Sequence, residues 1–294
     1  MEEARITGRR VGGFTIGPRV ADGGMGSVYQ ASRPDSSDLF AIKIMLTEHD
    51  GNDEYRQRFI RETKLMQTLK HPNITPVFAA GEEQDMLYFV MPLVRGPSVF
   101  DLLRRRRFSP LTAWQIFSPV AQALDYAHHR GVIHRDIKPS NILIETQDGK
   151  AHHVYLVDFG LSKIDGLKTL TKSGVSMGTP HYMAPEQVQA KPLSPQSDIY
   201  SLGVVLFELL LGQLPFQASN PYKIALKHLR DAPPLPRTLH ADFPLVLEQV
   251  LMQALAKEPL QRFASAEVFR MAYANAVQAL DKQARQREYW PPTK

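Results

Sequence analysis

Residues 132–144 read Val-Ile-His-Arg-Asp-Ile-Lys-Pro-Ser-Asn-Ile-Leu-Ile. Two short apolar runs, Val132-Ile133 and Ile142 to Ile144, bracket a polar stretch. That pattern predicts two small buried strands holding a loop at the edge of a pocket. The loop presents His134, Arg135, Asp136, Lys138 and Asn141. A carboxylate, an ammonium and an amide at this spacing suit phosphate chemistry. Asp136 can accept a hydroxyl proton, Lys138 can neutralise a phosphoryl oxygen, and Asn141 can offer a hard oxygen to a divalent cation. A polar surface loop between strands is the bland alternative, and the surrounding chain decides between the two.

Size and composition set the frame. The chain has 294 residues, room for one large domain or two lobes, and 43% of them are hydrophobic, enough for a substantial core. It has no cysteine, which excludes disulfides and cysteine-zinc sites and favours a reducing compartment. The net charge of +5 is mild and fits a phosphate-handling site as well as nucleic acid. No apolar run reaches the length of a membrane span, and Met1 to Arg10 lacks the apolar core of a signal peptide. The expectation is a cytoplasmic chain, or the cytoplasmic part of a longer membrane-anchored protein. The pairs His128-His129 and His152-His153 lack metal-ligand spacing and read as surface or helix-end residues.

Upstream of the loop, Phe14 to Val20 and Ser27 to Ala31 read as a hairpin around a glycine-rich turn, Ala21-Asp22-Gly23-Gly24-Met25-Gly26. Glycines let backbone N–H groups approach phosphate oxygens. Phe40 to Ile44 is a further strand with one lysine, Lys43, among apolar neighbours. A helix over Asn52 to Leu69 carries Glu62 and turns Phe59, Leu65, Met66 and Leu69 to one face. Strands are expected near Ile74 to Gly81 and Met86 to Met91. Ser98 to Arg106 reads as a short helix. The run Arg104 to Arg107 reads as a solvated face, or as a dock for acidic substrate or a phosphorylated tail.

Downstream, Leu111 to Arg130 is a longer helix with Ile116, Val120, Ala123, Leu124 and Ala127 inward, stopped by Gly131. Val154 to Val157 is a strand ending in Asp158-Phe159-Gly160. Residues 162–179 are polar and rich in hydroxyls. Ser197 to about Leu211 is an apolar helix opened by Asp198, either as an N-cap or as a buried anchor. Phe269, Tyr273, Ala276 and Leu280 form a stripe on a last helix. The basic tail beyond them reads as an ordinary exposed helix end, in preference to a stretch preceding a membrane anchor or a partner site.

The ordered set Gly23/Gly26, Lys43, Glu62, His134-Arg135-Asp136, Asn141, Asp158, Glu186, Asp198 and Arg262 resembles the eukaryotic-type (Hanks-type) serine/threonine protein kinases, in their bacterial group. The Gly-Gly-Met-Gly loop and Gly178-Thr179-Pro180-His181-Tyr182-Met183-Ala184-Pro185-Glu186 carry the resemblance to that group. It covers about residues 14–275 and implies a bilobal α+β kinase fold. The small N-lobe (14–91) would hold an antiparallel sheet and one helix, and a hinge (92–96) would lead to a mainly helical C-lobe (97–275). Residues 1–13 would be an extension and 276–294 a basic tail.

The resemblance implies roles residue by residue. Asp136 orients the acceptor hydroxyl and takes its proton, assisted by Lys138, while Lys43 grips phosphates and pairs with Glu62. ATP would lie among Val20, Ala21, Gly23, Gly24, Gly26, Val28, Ala41, Lys43, Met91, Pro92, Val94 and Leu143, with adenine on backbone groups of Pro92 and Val94. Asn141 and Asp158 would hold Mg2+, with Mn2+ as an alternative. Ala21 departs from the family by replacing the first glycine of the loop, and Pro92 by replacing an acidic residue. Thr171 and Ser173, then Thr169, would be activation-loop phosphosites, with Arg135 receiving the phosphate. Thr179 would bridge Asp136 and Lys138, and with Lys138 it favours Ser/Thr over Tyr acceptors. Asp198 would anchor the loop backbone, and Arg262 would pair with Glu186. Protein substrates are implied, dimerisation through the N-lobe is compatible, and no nucleic-acid partner or membrane segment is expected. A scaffold without turnover and a small-molecule phosphotransferase of related fold remain as alternatives. The stretch from Asp158 to Glu186 speaks against the second.

Overall fold

The computed structural model describes residues 6–23, 26–45, 53–159 and 180–290. The chain forms two compact units, one holding the described residues up to Arg95 and the other those from Gly96 onward.

The first unit is built on a six-stranded antiparallel sheet in the order β1-β2-β3-β4-β6-β5. Its strands are β1 (Arg10–Val11), β2 (Phe14–Gly23), β3 (Gly26–Ser32), β4 (Leu39–Met45), β5 (Ala79–Glu83) and β6 (Met86–Pro92). Side chains alternate across a strand, so every second residue meets one core. Phe14 and Ile16, Tyr29 and Ala31, Phe40, Ile42 and Ile44, and Tyr88 and Val90 form that core. β4 lies inside the sheet and is apolar on both faces, which explains its near-continuous hydrophobic sequence. Pro18 has no N–H to give the ladder, and the β2–β3 register shifts around it, between Ile16 and Arg19 and again before Ala21.

Helix α1 (Asp53–Gln67) packs on β5 and β6. Phe59, Met66 and Leu69 are buried, whereas Leu65 is 48% exposed. The helical period places Thr63, not Leu65, on the face of Phe59, and the Thr63 hydroxyl donates to the Phe59 carbonyl at 2.8 Å. The strand expected from Ile74 begins only at Ala79. Pro76 removes a backbone donor from that stretch, so it cannot pair along its length.

The second unit is mainly helical. Its helices are α2 (Val99–Leu103), α3 (Pro110–His128), α4 (Pro185–Val188), α5 (Pro195–Leu211), α6 (Pro221–Arg230), α7 (Pro236–Leu239), α8 (Leu245–Ala254), α9 (Ala266–Ala279) and α10 (Lys282–Gln286). One hairpin, β7 (Ile142–Gln147) with β8 (Lys150–Leu156), completes it. α5 is buried on nearly all sides and packs against α3 and α8, as a helix apolar all round must. α2 stops at Leu103, so the arginine run lies beyond its end. After α3, the Val132 N–H turns back to the Ala127 carbonyl at 3.0 Å, and Gly131 takes the left-handed backbone (φ +72°) this needs.

The tail is not the exposed helix end its sequence suggests. Asp281 caps α10 by accepting from the Ala284 N–H at 2.7 Å. Tyr289 is then buried against the Phe243 ring at 5.1 Å. The Trp290 indole N–H donates to the Leu209 carbonyl at 2.9 Å, near the end of α5 where carbonyls lack helical partners.

Gly26 opens β3 with φ +154°, and a Cβ built there would run into the Ile44 carbonyl oxygen of β4. Gly26→Ala is therefore expected to cost about 1–3 kcal/mol. Chemical denaturation of both proteins checks this, and an unchanged midpoint would contradict it.

Candidate active site

In the first unit, register gathers the candidate nucleotide contacts. Residues directly opposite in an antiparallel ladder share a face. Ala21 opposes Val28, Val28 opposes Lys43, and Lys43 opposes Phe89; Ala41, two residues from Lys43, opposes Met91. Ala21, Val28, Ala41, Lys43 and Met91 therefore share the face opposite the Phe40–Ile42–Ile44 core. Lys43 is only 8% exposed, and its ammonium lies 5.8 Å from the centre of the Phe89 ring. Glu62 is half-buried on α1, one turn from Phe59, and α1 rests on the strand adjoining β4.

The glycine hairpin is braced from its own strands. The Asp22 carboxylate accepts from the Ser27 hydroxyl at 2.8 Å and pairs with Arg19 at 2.7 Å. Gly23 pairs with Gly26 at the turn, Val20 is 54% exposed, and Gly24 lies outside the described residues. Pro92 closes β6 opposite Phe40, and the Leu93 N–H donates to the Leu39 carbonyl at 3.2 Å. Val94, half-buried, takes no such backbone bond among the described residues.

In the second unit, the stretch 132–144 takes a different form from the two-strand frame its pattern predicts. Ile142 to Ile144 does enter β7, but Val132 and Ile133 are neither strand nor fully buried. A carboxylate replaces the ladder. Asp198, 1% exposed, accepts from the His134 N–H at 2.7 Å and the Arg135 N–H at 2.8 Å. Its Oδ2 also meets His128 Nε2 at 2.8 Å. His128 does end α3, as one of its two readings has it, but its ring is a buried partner and not a surface group. Arg135 is held with φ +69°, a strained backbone that two bonds to one carboxylate and a bond from Gln187 Nε2 to its carbonyl (2.8 Å) maintain. Burial pushes the Asp198 carboxyl up, but the His128 and His134 interactions outweigh it and hold the group below its ordinary value. Burial lowers the His134 imidazole, which favours the neutral ring. It sits 4.5 Å from the Phe159 ring and bonds the Val157 carbonyl at 2.9 Å.

The anchored loop presents three groups together. Lys138 Nζ lies 2.7 Å from Asp136 Oδ2, and Asn141 Nδ2 donates to the same oxygen at 3.1 Å and to the Asp136 carbonyl at 2.8 Å. Asp136 is thereby oriented through contacts to one of its carboxylate oxygens. The Asn141 amide nitrogen is committed, which leaves its oxygen as the end able to meet a cation. The Val157 N–H donates to the Asn141 carbonyl at 3.0 Å, so the backbone next to Asp158 is tied to the turn bearing Asn141. Asp158 itself has φ +63°. Among the described residues no three His, Asp or Glu side chains form a metal cage. A sparse Asn-plus-Asp donor set fits magnesium, which keeps waters and takes phosphate oxygens as its remaining ligands. Leu143 is half-buried on β7, opposite Tyr155.

Glu186 and Arg262 lie behind this loop. The guanidinium is bidentate on the carboxylate at 2.7 and 2.9 Å. It also donates to the carbonyls of Ala256, Gln196 and Lys257 at 2.8, 2.8 and 2.9 Å, so all of its N–H donors are used. Burial works to raise the Glu186 carboxyl, and bonds from Arg262 and Ser197 keep it below its ordinary value. His128 and Gln187 escaped the sequence reading. Their only signal was position, one turn before Gly131 and directly after Glu186. Thr169, Thr171, Ser173 and Thr179 lie outside the described residues.

A strand lysine beneath a glycine hairpin and an anchored Asp-Lys-Asn loop define a protein of the phosphoryl-transfer class. The chain belongs to the protein kinase domain family, which matches residues 14–274. It is 37% identical over 267 residues to the serine/threonine-protein kinase PknJ of Mycobacterium tuberculosis, covering 90% of this chain and 45% of that protein. It is 34% identical over 264 residues to PrkC of Bacillus subtilis, covering 89% of this chain and 40% of that one. With pkn3 of Myxococcus xanthus the identity is 36% over 288 residues, covering 95% and 52%. The chain thus spans about half the length of these relatives. The crystal structure of the Mycobacterium tuberculosis PknI kinase domain superposes with a TM-score of 0.73 at 28% identity, covering 92% of this chain and 98% of that one. The architecture is accordingly the α+β protein-kinase fold. The family uses ATP and a divalent metal ion.

Proposed function

We propose that this chain is a serine/threonine protein kinase that transfers the γ-phosphoryl group of ATP to Ser or Thr hydroxyls of proteins. The observation that carries the reading is the oriented carboxylate of Asp136, held by Lys138 and Asn141 on a loop whose backbone Asp198 pins. Asp136 receives the acceptor's proton as its oxygen attacks phosphorus, and the bond to the departing diphosphate breaks in line. Lys138 stabilises charge on the transferred group, and Lys43 holds phosphates, with Glu62 assigned to orient it. Asn141 and Asp158 would hold Mg2+, which supplies positive charge to the phosphates. Because the protein makes no covalent bond to phosphorus, positioning and electrostatics supply the rate. Phosphorylation of Thr171, Ser173 or Thr169, received by Arg135, is the assigned activation step. A cytoplasmic location belongs to the same reading; no helix among the described residues is long and apolar enough to cross a membrane.

The test uses three peptides differing only in a Ser, Thr or Tyr acceptor, each with Mg-ATP. Transfer to Ser and Thr and none to Tyr is expected. Nucleotide binding without any transfer would favour a scaffold and defeat the proposal.

A further inference from the structure

Arg104, Arg105 and Arg106 form a strongly charged surface that phosphoryl transfer does not use. They follow α2 without a break. The N–H groups of Arg105 and Arg106 both turn back to the Leu102 carbonyl at 2.9 Å, so three exposed guanidinium groups fan out from one tight turn. The acid nearest them in sequence is already engaged. Asp101 accepts from the Ser98 N–H at 3.0 Å and the Ser98 hydroxyl at 2.6 Å, closing the capping box of α2. Arg104 and Arg105 feel that charge without bonding it. Arg104 instead lies 5.9 Å from the centre of the Phe100 ring, itself 45% exposed, and Arg106 lies 4.8 Å from that of Phe108. Like charges on a rigid turn repel, and a counter-charge from outside relieves them.

Position supplies the second observation. α2 packs directly on the turn Pro139–Asn141 and on β7, the elements that carry the Asp136 loop. Five residues of helix span about 7 Å. An extended peptide advances about 3.3 Å per residue. An acceptor at Asp136 therefore brings peptide residues about three to six positions away within reach of the long arginine side chains. Guanidinium forks suit carboxylates in both shape and charge.

We infer that Arg104 and Arg105, beside the exposed Phe100, form a docking surface for an acidic segment of the protein substrate. The inference rests on the protein-kinase reading above and names the substrate chemistry that reading leaves open.

The experiment compares two peptides with the same Ser acceptor. One carries Asp and Glu three to six positions away on both sides, the other Asn and Gln. Wild type and the double variant Arg104→Gln/Arg105→Gln are assayed with Mg-ATP. Arg106 is left in place because its partner Phe108 adjoins Trp290. The wild type should show a KM about fivefold lower for the acidic peptide, the size two exposed charge contacts allow. The advantage should shrink as salt rises. The double variant should lose it while keeping its kcat on the neutral peptide and its KM for ATP. A preference that survives in the variant, or that is absent in a wild type that phosphorylates the neutral peptide, would overturn the inference. So would unchanged peptide kinetics with lost binding to phosphatidylserine vesicles, which would assign the patch to a membrane surface. A wild type that phosphorylates neither peptide would sink the kinase reading itself, and the inference with it.

Discussion

Asparagine in place of Asp136 is expected to lower kcat for phosphoryl transfer by about 10²- to 10⁴-fold, the range a positioned general base supplies. The substitution keeps the side chain's shape and one oxygen, so the contact with Lys138 Nζ at 2.7 Å has a neutral counterpart. What disappears is the basic oxygen that receives the acceptor's proton. Because the Asp136 side chain is 26% exposed and asparagine keeps its volume, the melting temperature should move little. Steady-state kinetics beside a thermal melt checks both halves. A variant within threefold of wild type in kcat would remove Asp136 from its assigned role.

Asp198→Ala should act in the opposite way, through the fold first. Its carboxylate satisfies the backbone N–H groups of His134 and Arg135 and the His128 ring at 2.7, 2.8 and 2.8 Å. Alanine leaves those donors buried without acceptors, and the expected loss is about 3–5 kcal/mol. Activity falls as well, because Arg135 loses the carboxylate that helps hold φ +69° and the loop that presents Asp136 relaxes. Asp198→Asn separates the two effects, since an amide keeps one acceptor and the side-chain volume. Denaturant titration of the three proteins gives the comparison, and an alanine variant as stable as wild type would contradict the anchor.

The same residues fix the sign of a pH effect. Asp198 is held below its ordinary value of 3.8, so its contribution is fully present above that value and lost as pH falls through the lower folded one. His134 is held below 6.5, chiefly by burial. Below 6.5 the unfolded chain binds a proton there that the folded chain refuses, so stability falls as the solution is acidified. Both groups therefore make the second unit acid-labile. Melting temperatures should decline from neutral pH toward pH 4 through His134 and further below pH 3.8 through Asp198, and a profile flat across both ranges would contradict the burial of these groups.

Much of this molecule is legible in its sequence because the informative groups are close together or periodic. Asp136, Lys138 and Asn141 lie within six residues, and a single turn suffices to bring their heads together. The alternation of Phe14/Ile16, Phe40/Ile42/Ile44 and Tyr88/Val90 states the sheet core directly. Where reading failed, the deciding partner lay far along the chain. Val132-Ile133 has the composition of a strand, but its neighbours' N–H groups are taken by a carboxylate more than sixty residues away, at Asp198. Tyr289 and Trp290 read as a frayed end because nothing local shows that Phe243 and the Leu209 carbonyl await them. Leu65 failed for a plainer reason. It is hydrophobic, but the helical period turns it to solvent while the polar Thr63 faces inward and satisfies its hydroxyl on the preceding turn.

The measurement that bears most directly on the central claim is intact mass. Wild type and Asp136→Asn, both stripped with phosphatase, are incubated with Mg-ATP and weighed over time. Mass steps of one phosphate in the wild type only, mapping to Ser and Thr within residues 162–179, are the predicted result. Equal phosphate uptake by both proteins, or none by either with ATP bound, would contradict the account.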